Sequence, residues 1–206
     1  LQSIVNTVYL MRDAVNRCTS ARDKEFMLGS LERLERNVRY MDGIVSNLNE
    51  YARPAPPKLM PVKVHALIAE ALGRITIPHE VSVRKDLLPV TAEVDRSMIL
   101  RALVNVLTNA VQAMPSGGTL SVSCAQHNRC VKIEVADTGH GIDKADMDKL
   151  FKPFFTKKSK GMGMGLPVTK KFVELHGGTV EINSDLGKGT VVTLLLPLKG
   201  SKKAVL

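Results

Sequence analysis

The sequence predicts an α+β protein in which an antiparallel helical hairpin precedes a mixed domain of helices and strands. Over residues 1–52, apolar residues recur in steps of three and four, the spacing of an apolar seam along a helix. Further along, stretches that alternate polar and apolar residues, typical of half-buried strands, lie between helical stretches. The run Arg53-Pro54-Ala55-Pro56-Pro57 separates the two patterns, since proline ends a helix and stiffens a linker. We therefore expect a hairpin and linker over residues 1–57 and a second domain over residues 58–206.

The composition indicates a globular chain with few candidate partners. Of 206 residues, 44% are hydrophobic and 24% are charged, which argues against disorder. The net charge of +9 favours an anionic partner, yet no recognition motif supports nucleic-acid binding. No apolar run approaches the roughly 20 residues of a membrane helix, so we expect no membrane segment in this chain. Three cysteines without metal-binding spacing indicate reduced thiols and a cytoplasmic location, either of the whole protein or of the cytoplasmic part of a membrane-anchored one.

The apolar seam of the hairpin runs along both of its predicted helices. Its members are Leu1, Ile4, Val8, Met11, Val15, Cys18, Met27, Leu31, Leu34, Val38, Met41, Val45, Leu48 and Ala52. Two helices alone bury too little apolar surface to be stable, so we expect a four-helix bundle formed with a second copy of the chain. This predicts a homodimer through residues 1–52. The alternative is a monomeric hairpin that folds onto the rest of the chain.

Periodicity predicts three helices and five strands in the second domain. The helices are expected over residues 64–75, 95–114 and 166–176. The strands are expected over residues 81–87, 119–125, 131–136, 179–184 and 190–196. A turn over residues 126–129 would join two of the strands, and Gly177-Gly178 would end the last helix. Antiparallel hairpins beside helices favour an α+β sandwich.

The long helix over residues 95–114 carries an unusual polar face. Steps of three and four bring together Arg101, Asn105, Thr108, Asn109 and Gln112. A solvated helix face normally carries Lys and Glu, and asparagine is a weak helix former. Carboxamide oxygens suit a hard cation that bridges to phosphates. A buried polar contact with the neighbouring sheet is the alternative.

A carboxylate and two glycines follow the strand over residues 131–136, in Asp137-Thr138-Gly139-His140-Gly141-Ile142. At a strand end, Asp137 can accept hydrogen bonds from an exocyclic amine. Gly139 and Gly141 would let the backbone approach a flat ligand closely. Taken alone, the segment predicts only a turn.

Three alternating glycines lead into the last predicted helix, in Gly161-Met162-Gly163-Met164-Gly165-Leu166-Pro167. Free amides and the helix dipole make such a helix start an anion site. Three lysines, Lys157, Lys158 and Lys160, would add charge where phosphates lie. The spacing matches neither a Rossmann fingerprint nor a Walker A loop. A fourth turn, Gly187-Lys188-Gly189-Thr190, precedes the last strand.

These four segments, in this order, resemble the ATP-binding domain of sensor histidine kinases of two-component systems. They are similar to its N box, its first glycine box, its F box with the second glycine box, and its final GxGT turn, and residues 58–198 follow the family throughout. Residues 1–52 resemble its dimerisation and phosphotransfer hairpin. The segments Asn105-Val-Leu-Thr-Asn109-Ala-Val-Gln-Ala-Met114 and Phe154-Phe155-Thr156 are most similar to the nitrogen-regulation branch. The resemblance implies a Bergerat α/β sandwich.

The resemblance also implies ATP and Mg²⁺ as cofactors, with a role for each matching residue. Asn109 would ligate Mg²⁺ with help from Asn105, and Asp137 would bind the adenine amino group. The other residues implied to contact the nucleotide are Gln112, Gly139, Gly141, Ile142, Lys158, Gly161, Gly163, Gly165, Leu166 and Thr190. Residues 161–166 would wrap the phosphates as part of a mobile lid.

The implied activity is transfer of the ATP γ-phosphate to a bundle histidine and then to an aspartate of a response-regulator receiver domain. Gyrase, chaperone and mismatch-repair ATPases of similar fold place a glutamate, the general base, one turn before the metal asparagine. Here that position is Asn105, which cannot accept a proton at neutral pH, so hydrolysis by that route is disfavoured. A neutral imidazole is already a nucleophile and needs no such base. An ATP-binding scaffold or ATPase without autokinase activity is the alternative.

The phosphoacceptor histidine is expected upstream of this chain. The family's motif, His-Glu-Ile/Leu-Arg/Asn-x-Pro-Leu, would end on Leu1. His79-Glu80 is not followed by the required proline, and the remaining histidines lack the motif: His65, His127, His140 and His176. We therefore expect the chain to bind Mg-ATP without phosphorylating itself.

Overall fold

The structure is a computed structural model that describes residues 7, 11, 12 and 15 and the ranges 21–52, 55–158 and 161–199. Contacts divide the chain into two compact units, Leu1–Arg53 and Pro54–Leu206. This division falls within the proline-rich run that separates the two sequence patterns. None of the helices among the described residues is both long and apolar enough to cross a membrane.

The N-terminal unit is helical wherever it is described. Residues 7, 11, 12 and 15 are helical, and helix α1 spans Ala21–Ala52. Val15 is buried with Leu31, and Leu28 packs against this pair. Arg12 Nη1 lies 3.5 Å from Glu35 Oε1. These contacts join Arg12 and Val15 to α1, and the antiparallel hairpin stays a prediction.

Much of the predicted seam remains accessible within one chain. Leu31 and Val38 are buried, but six seam residues are each more than 40% exposed: Met11, Met27, Leu34, Met41, Val45 and Leu48. The seam residues Leu1, Ile4, Val8 and Cys18 lie outside the described residues. The N-terminal unit therefore carries an apolar surface along α1 that its own contacts leave open.

The C-terminal unit contains three α-helices, a 3₁₀ helix and seven strands among its described residues. In chain order these are β1 (Met60–Lys63), α2 (Val64–Gly73), β2 (Val81–Leu87), β3 (Thr91–Val94), α3 (Arg96–Gln112), β4 (Gly118–His127), β5 (Cys130–Asp137), a 3₁₀ helix (Lys144–Lys149), α4 (Gly165–Leu175), β6 (Thr179–Asp185) and β7 (Gly189–Pro197). Each predicted helix and strand is present, with bounds that differ by at most a few residues.

One face of a five-stranded sheet packs against the helices. The strand order is β2-β4-β5-β7-β6, and the buried residues along β5 alternate with partly exposed ones. Helix α3 packs against α2, α4 and β5. Its residues Leu103 and Leu107 are fully buried, as are Leu120, Ile133 and Leu194 of the sheet. This two-layer core confirms the predicted α+β sandwich.

The sheets differ from the predicted pattern in two respects. Strand β2 pairs in parallel with β4, whereas the sequence predicted only antiparallel hairpins. A separate two-stranded antiparallel sheet, β1 with β3, was not predicted at all. Both of these strands are four residues long; β1 contains Pro61 and does not alternate, and the alternation of β3 is too short to stand out.

Candidate functional site

Asp137 lies buried at the end of the central strand β5. Its side chain is 8% exposed, and Oδ1 accepts a hydrogen bond from the Gly139 amide at 2.9 Å. The Thr190 backbone amide also donates to the carboxylate. Burial raises the pKa of Asp137, although these two amides oppose the shift. The sheet thus presents a partly desolvated carboxylate that can accept a hydrogen bond from a ligand.

The loop after Asp137 packs closely between the end of α3 and the end of β6. A Cβ on Gly139 would lie 2.4 Å from the Ala113 carbonyl oxygen, at the end of α3. Gly141 has a φ of +67°, and a Cβ there would lie 2.1 Å from the Asp185 carbonyl oxygen. Only glycine fits these contacts, so the loop's shape is set by its neighbours. The predicted role of both glycines in admitting a flat ligand stays a prediction.

A hydroxyl that the sequence analysis did not single out joins this loop to the last two strands. Ser184 Oγ accepts a hydrogen bond from the Ile142 amide at 2.9 Å and donates to the Gly189 carbonyl oxygen at 2.8 Å. The Thr190 hydroxyl lies 2.9 Å away. Ser184 is only 8% exposed. A signal was available, since Ser184 pairs with Thr190 across a predicted hairpin.

Two carboxamides of α3 accept hydrogen bonds from the ammonium group of a lysine. Lys158 Nζ donates to Asn109 Oδ1 at 2.9 Å and to Gln112 Oε1 at 2.7 Å. Desolvation lowers the pKa of Lys158, and the charge of Asp137 opposes that shift. Two residues predicted on one helix face therefore converge on a single positive charge. That charge is close enough to Asp137 to interact with it.

Asn105, one turn earlier, contacts the glycine-rich segment instead. Its Nδ2 donates to the Gly165 carbonyl oxygen at 3.3 Å, which ties α3 to the start of α4. Met164, the residue before α4, makes no side-chain cap hydrogen bond to the first turn of this helix. Gly165 and Leu166 are the first two residues of this helix. The structure therefore contains an uncapped helix start beside the α3 carboxamides, as an anion site requires.

The three lysines predicted around phosphates do not act together. Lys157 forms an ion pair with Asp146 of the 3₁₀ helix, a carboxylate that the sequence analysis missed, and this contact lowers the pKa of Asp146. Lys157 thus has a protein carboxylate as its partner in this structure, and its predicted place at the phosphates stays a prediction. Lys160 lies outside the described residues. Of the two lysines that the structure describes, only Lys158 contacts the α3 face.

The glycines of the second glycine box shape the backbone before α4. Gly163 has a φ of +63°, and a Cβ there would lie 2.5 Å from the Phe154 carbonyl carbon. The Phe154 amide donates to the Gly163 carbonyl oxygen at 3.1 Å. A Cβ on Gly161 would lie 2.6 Å from Thr156 Oγ1. These contacts hold the segment against the Phe154–Thr156 stretch, beside the α4 start.

Side chains other than carboxamides offer little for a metal. Among the described residues, no three His, Cys, Asp or Glu side chains converge on a point that could hold an ion. His79 is 93% exposed and contacts only Glu80, at 3.2 Å. His176 is buried, accepts from the Asp95 amide through Nε2 at 2.9 Å, and donates from Nδ1 to the Phe172 carbonyl oxygen at 2.7 Å. Both ring nitrogens are satisfied, so this histidine has a structural role.

Comparison with known proteins relates this site to characterised ones. Residues 94–200 match the family described as histidine kinase-, DNA gyrase B-, and HSP90-like ATPase. Sensor histidine kinase ZraS of Escherichia coli (strain K12) is 36% identical over 170 residues, which is 79% of this chain and 36% of ZraS. Sporulation kinase D of Bacillus subtilis (strain 168) is 31% identical over 174 residues, 82% of this chain and 34% of that kinase. The chain thus spans about a third of the length of these curated relatives.

Solved structures have the same fold. The mycobacterial sensor histidine kinase MprB is 27% identical with a TM-score of 0.64, over 69% of this chain and 99% of that one. Full-length ShkA in complex with AMPPNP has a TM-score of 0.75 over 97% of this chain and 46% of that one, and its 19% identity shows a likeness of fold alone. The family match contains α3, Asp137, the glycine-rich segment and Thr190. The chain belongs to the family of histidine kinase-, DNA gyrase B- and HSP90-like ATPases.

Proposed function

We propose that this chain is the ATP-binding catalytic core of a sensor histidine kinase. It would transfer the ATP γ-phosphate to a bundle histidine, from which the phosphate passes to an aspartate of a response regulator. The observation that carries the proposal is the cation site on α3, where Lys158 Nζ lies 2.9 Å from Asn109 Oδ1 and 2.7 Å from Gln112 Oε1. The relatives named above support the kinase assignment, because they match the chain over about four fifths of its length.

The arrangement suits one orientation of ATP. The buried carboxylate of Asp137 would accept a hydrogen bond from the adenine amino group, with Gly139, Gly141, Ile142 and Thr190 around the ring. The uncapped amides at the start of α4, Gly165 and Leu166, would receive the phosphates together with Gly161 and Gly163. Lys158 lies between these two regions, within electrostatic reach of Asp137.

The α3 carboxamides fit Mg²⁺. The ammonium group of Lys158 already donates to the Asn109 and Gln112 side-chain oxygens, which shows that they can face a positive charge. Neutral oxygens of this kind are ligands that Mg²⁺ accepts. Asn109 would ligate the ion. Asn105 donates a hydrogen bond from Nδ2 to the Gly165 carbonyl oxygen, and its own side-chain oxygen would be a second ligand. When bound, Mg²⁺ would neutralise part of the phosphate charge. This chain's residues would orient the triphosphate and exclude water from it.

Phosphoryl transfer to an added nucleophile is favoured over hydrolysis. Asn105 occupies the position where a hydrolytic member of this fold would need a base, and its amide donates to Gly165. A carboxamide cannot remove a proton from water at neutral pH. The other possibility, an ATP-binding scaffold or an ATPase without autokinase activity, predicts either no transfer or steady hydrolysis.

The N-terminal unit would supply the dimer. Val15 with Leu31 and Arg12 with Glu35 support an antiparallel hairpin over residues 1–52. The exposed seam along α1 supports pairing with a second copy into a four-helix bundle. We propose a receiver domain as the other protein partner and a cytoplasmic location for this core. The closer likeness to the nitrogen-regulation branch remains a prediction.

The kinase assignment is tested by supplying an acceptor. None of the five histidines lies within residues 1–52, so the chain incubated with γ-labelled ATP is expected to gain no phosphohistidine. Adding His-Glu-Leu-Arg-Asn-Pro directly before Leu1 completes the acceptor motif and is expected to give acid-labile label. The same extension with Gln in place of His is the control. Label on the unextended chain, or none on the extended chain despite ATP binding, would contradict the proposal.

A further inference from the structure

Three buried polar residues form a row across the sheet beside the proposed adenine pocket. Asp137 pairs with Thr190 across β5 and β7, and Thr190 pairs with Ser184 across β7 and β6. Each of the three is 8% exposed. Residues paired across neighbouring strands point to the same face of a sheet. The three side chains therefore lie on the same face of the sheet, with Thr190 between Ser184 and the Asp137 carboxylate.

The hydroxyl hydrogens of Ser184 and Thr190 can each be assigned to one acceptor. A serine hydroxyl has one hydrogen, and Ser184 gives it to the Gly189 carbonyl oxygen at 2.8 Å, a group that can only accept. Ser184 also accepts from the Ile142 amide at 2.9 Å. The contact of 2.9 Å between the Ser184 and Thr190 hydroxyls must therefore use the hydrogen of Thr190. The Thr190 oxygen keeps lone pairs but has no hydrogen left for a ligand.

Both side chains of the row nearest the pocket are consequently acceptors. Asp137, when ionised, has no hydrogen to donate, and it receives the Gly139 and Thr190 amides. A ligand group next to these side chains is bound well only if it donates. The amino group at position 6 of adenine donates, whereas the oxygen at that position in a 6-oxopurine would face two acceptors. A buried acceptor without a donor is strongly disfavoured.

We propose that Ser184 is a positioning residue that fixes the Thr190 hydroxyl as an acceptor and so makes the pocket select 6-aminopurine over 6-oxopurine nucleotides. This inference rests on the proposed function, namely that the row binds the adenine of ATP. Ser184 acts through Thr190 and need not touch the nucleotide. Without the Ser184 oxygen, the Thr190 hydroxyl can turn its hydrogen towards a ligand and accommodate a carbonyl.

The test compares ATP with inosine triphosphate, each titrated with Mg²⁺ into the 206-residue chain by calorimetry. The wild type is expected to prefer ATP, and Ser184→Ala is expected to reduce the ratio of the two affinities by about tenfold, the value of roughly one hydrogen bond. Ser184→Thr keeps the hydroxyl and should keep the ratio. The matched control is Ser82→Ala, because Ser82 Oγ likewise contacts a glycine carbonyl, Gly118 at 3.2 Å, and a threonine hydroxyl, Thr119 at 3.0 Å, away from this row.

The outcomes separate this inference from the proposed function. If Ser184→Ala keeps the wild-type ratio, the role of Ser184 is wrong while ATP binding stands. If the wild type binds neither nucleotide, the proposed function fails and this inference fails with it. Thermal unfolding shows whether Ser184→Ala is folded; if it is not, Ser184→Cys, which keeps the shape but offers Thr190 a weaker acceptor, replaces it. An unchanged ratio in that variant also overturns the inference.

Discussion

Lys157 and Lys158 are neighbours whose ammonium groups have different partners. Lys157 is bound to Asp146 of the 3₁₀ helix, whereas Lys158 contacts Asn109 and Gln112 of α3. One lysine therefore contacts the 3₁₀ helix and the other contacts α3. Of the two lysines in the described part of this segment, Lys158 therefore brings its charge to the α3 carboxamides and Lys157 does not.

This difference predicts unequal effects of the same substitution. Lys158→Met is expected to weaken Mg-ATP binding by about tenfold or more, because a charge next to the bound phosphates is lost. Lys157→Met, the matched control, should change affinity by less than about threefold, since its partner Asp146 is a protein group. Calorimetric titration of both variants measures this. Equal losses in the two variants would contradict the separate roles of the lysines.

His176 makes folding stability depend on pH. Desolvation lowers its pKa from 6.5, although the Phe172 carbonyl and the charge of Asp95 oppose this. The folded protein keeps the ring neutral while the unfolded chain takes up a proton, so stability is full above about pH 6.5 and falls as pH drops below it. The loss is at most about 1.4 kcal/mol for each pH unit.

Urea unfolding between pH 7.5 and 5.5 checks this expectation. The wild type should lose stability towards pH 5.5, and His176→Gln, which cannot be protonated, should lose less over the same interval. The comparison uses slopes, so a lower overall stability of the variant does not affect it. Identical slopes would show that His176 is not the group that titrates.

Residue types that stand out in the sequence led to part of the site, and those that do not were missed. Asn109 was singled out because carboxamides are unusual on a solvated helix face, whereas the segment of Asp137 alone predicted only a turn and its role came from the family resemblance. Ser184 and Asp146 look ordinary in the sequence. Their importance comes from partners brought close by strand pairing and by loop geometry, which single-residue chemistry does not reveal.

Among the elements, α1 has a surface that one chain leaves open. Leu34 is 42% exposed, and its neighbours on the seam, Met41 and Val45, are 45% and 48% exposed. Apolar residues repeated in this spacing are stabilised by a second helix pair. The hairpin and its pairing into a four-helix bundle nevertheless stay predictions, since the described contacts of the first segment are those of Arg12 and Val15.

A charge on this surface should dissociate the dimer. Leu34→Arg is expected to raise the dimer dissociation constant by at least about tenfold, because it places a charge in the apolar interface. Glu32→Arg introduces the same side chain at an exposed position away from the seam and should leave the dimer intact. Sedimentation velocity distinguishes these outcomes. A monomeric wild type, or equal effects of both variants, would contradict the bundle.

Long elements were predicted well, and short or distant pairings were not. Helix α3 and strands β4 to β7 have periodic patterns over seven or more residues, and their positions were predicted within a few residues. Strands β1 and β3 pair only with each other over four residues, so their pattern is too short to recognise. The parallel pairing of β2 with β4 depends on contacts between Val81–Leu87 and a distant segment, which local patterns do not encode.

At the level of the whole molecule, the two compact units carry different features. The N-terminal unit, Leu1–Arg53, offers the apolar seam, and the residues that we propose to bind the nucleotide lie in the C-terminal unit, Pro54–Leu206. The proline-rich run and the change in periodicity predicted a boundary at residue 57, and the contacts divide the chain after Arg53. We therefore expect nucleotide binding to survive loss of the dimer, since no site residue lies in the N-terminal unit.

The central claim is that Asn109 and Asp137 bind Mg-ATP, and calorimetric titration of the 206-residue chain with ATP tests it most directly. We predict that the wild type binds ATP, more weakly once EDTA has removed Mg²⁺. Asn109→Ala should abolish this dependence on Mg²⁺, and Asp137→Asn should lower affinity about ten- to a hundredfold under both conditions. A wild type that does not bind ATP, or variants that bind it with wild-type affinity and the same Mg²⁺ dependence, would contradict the account.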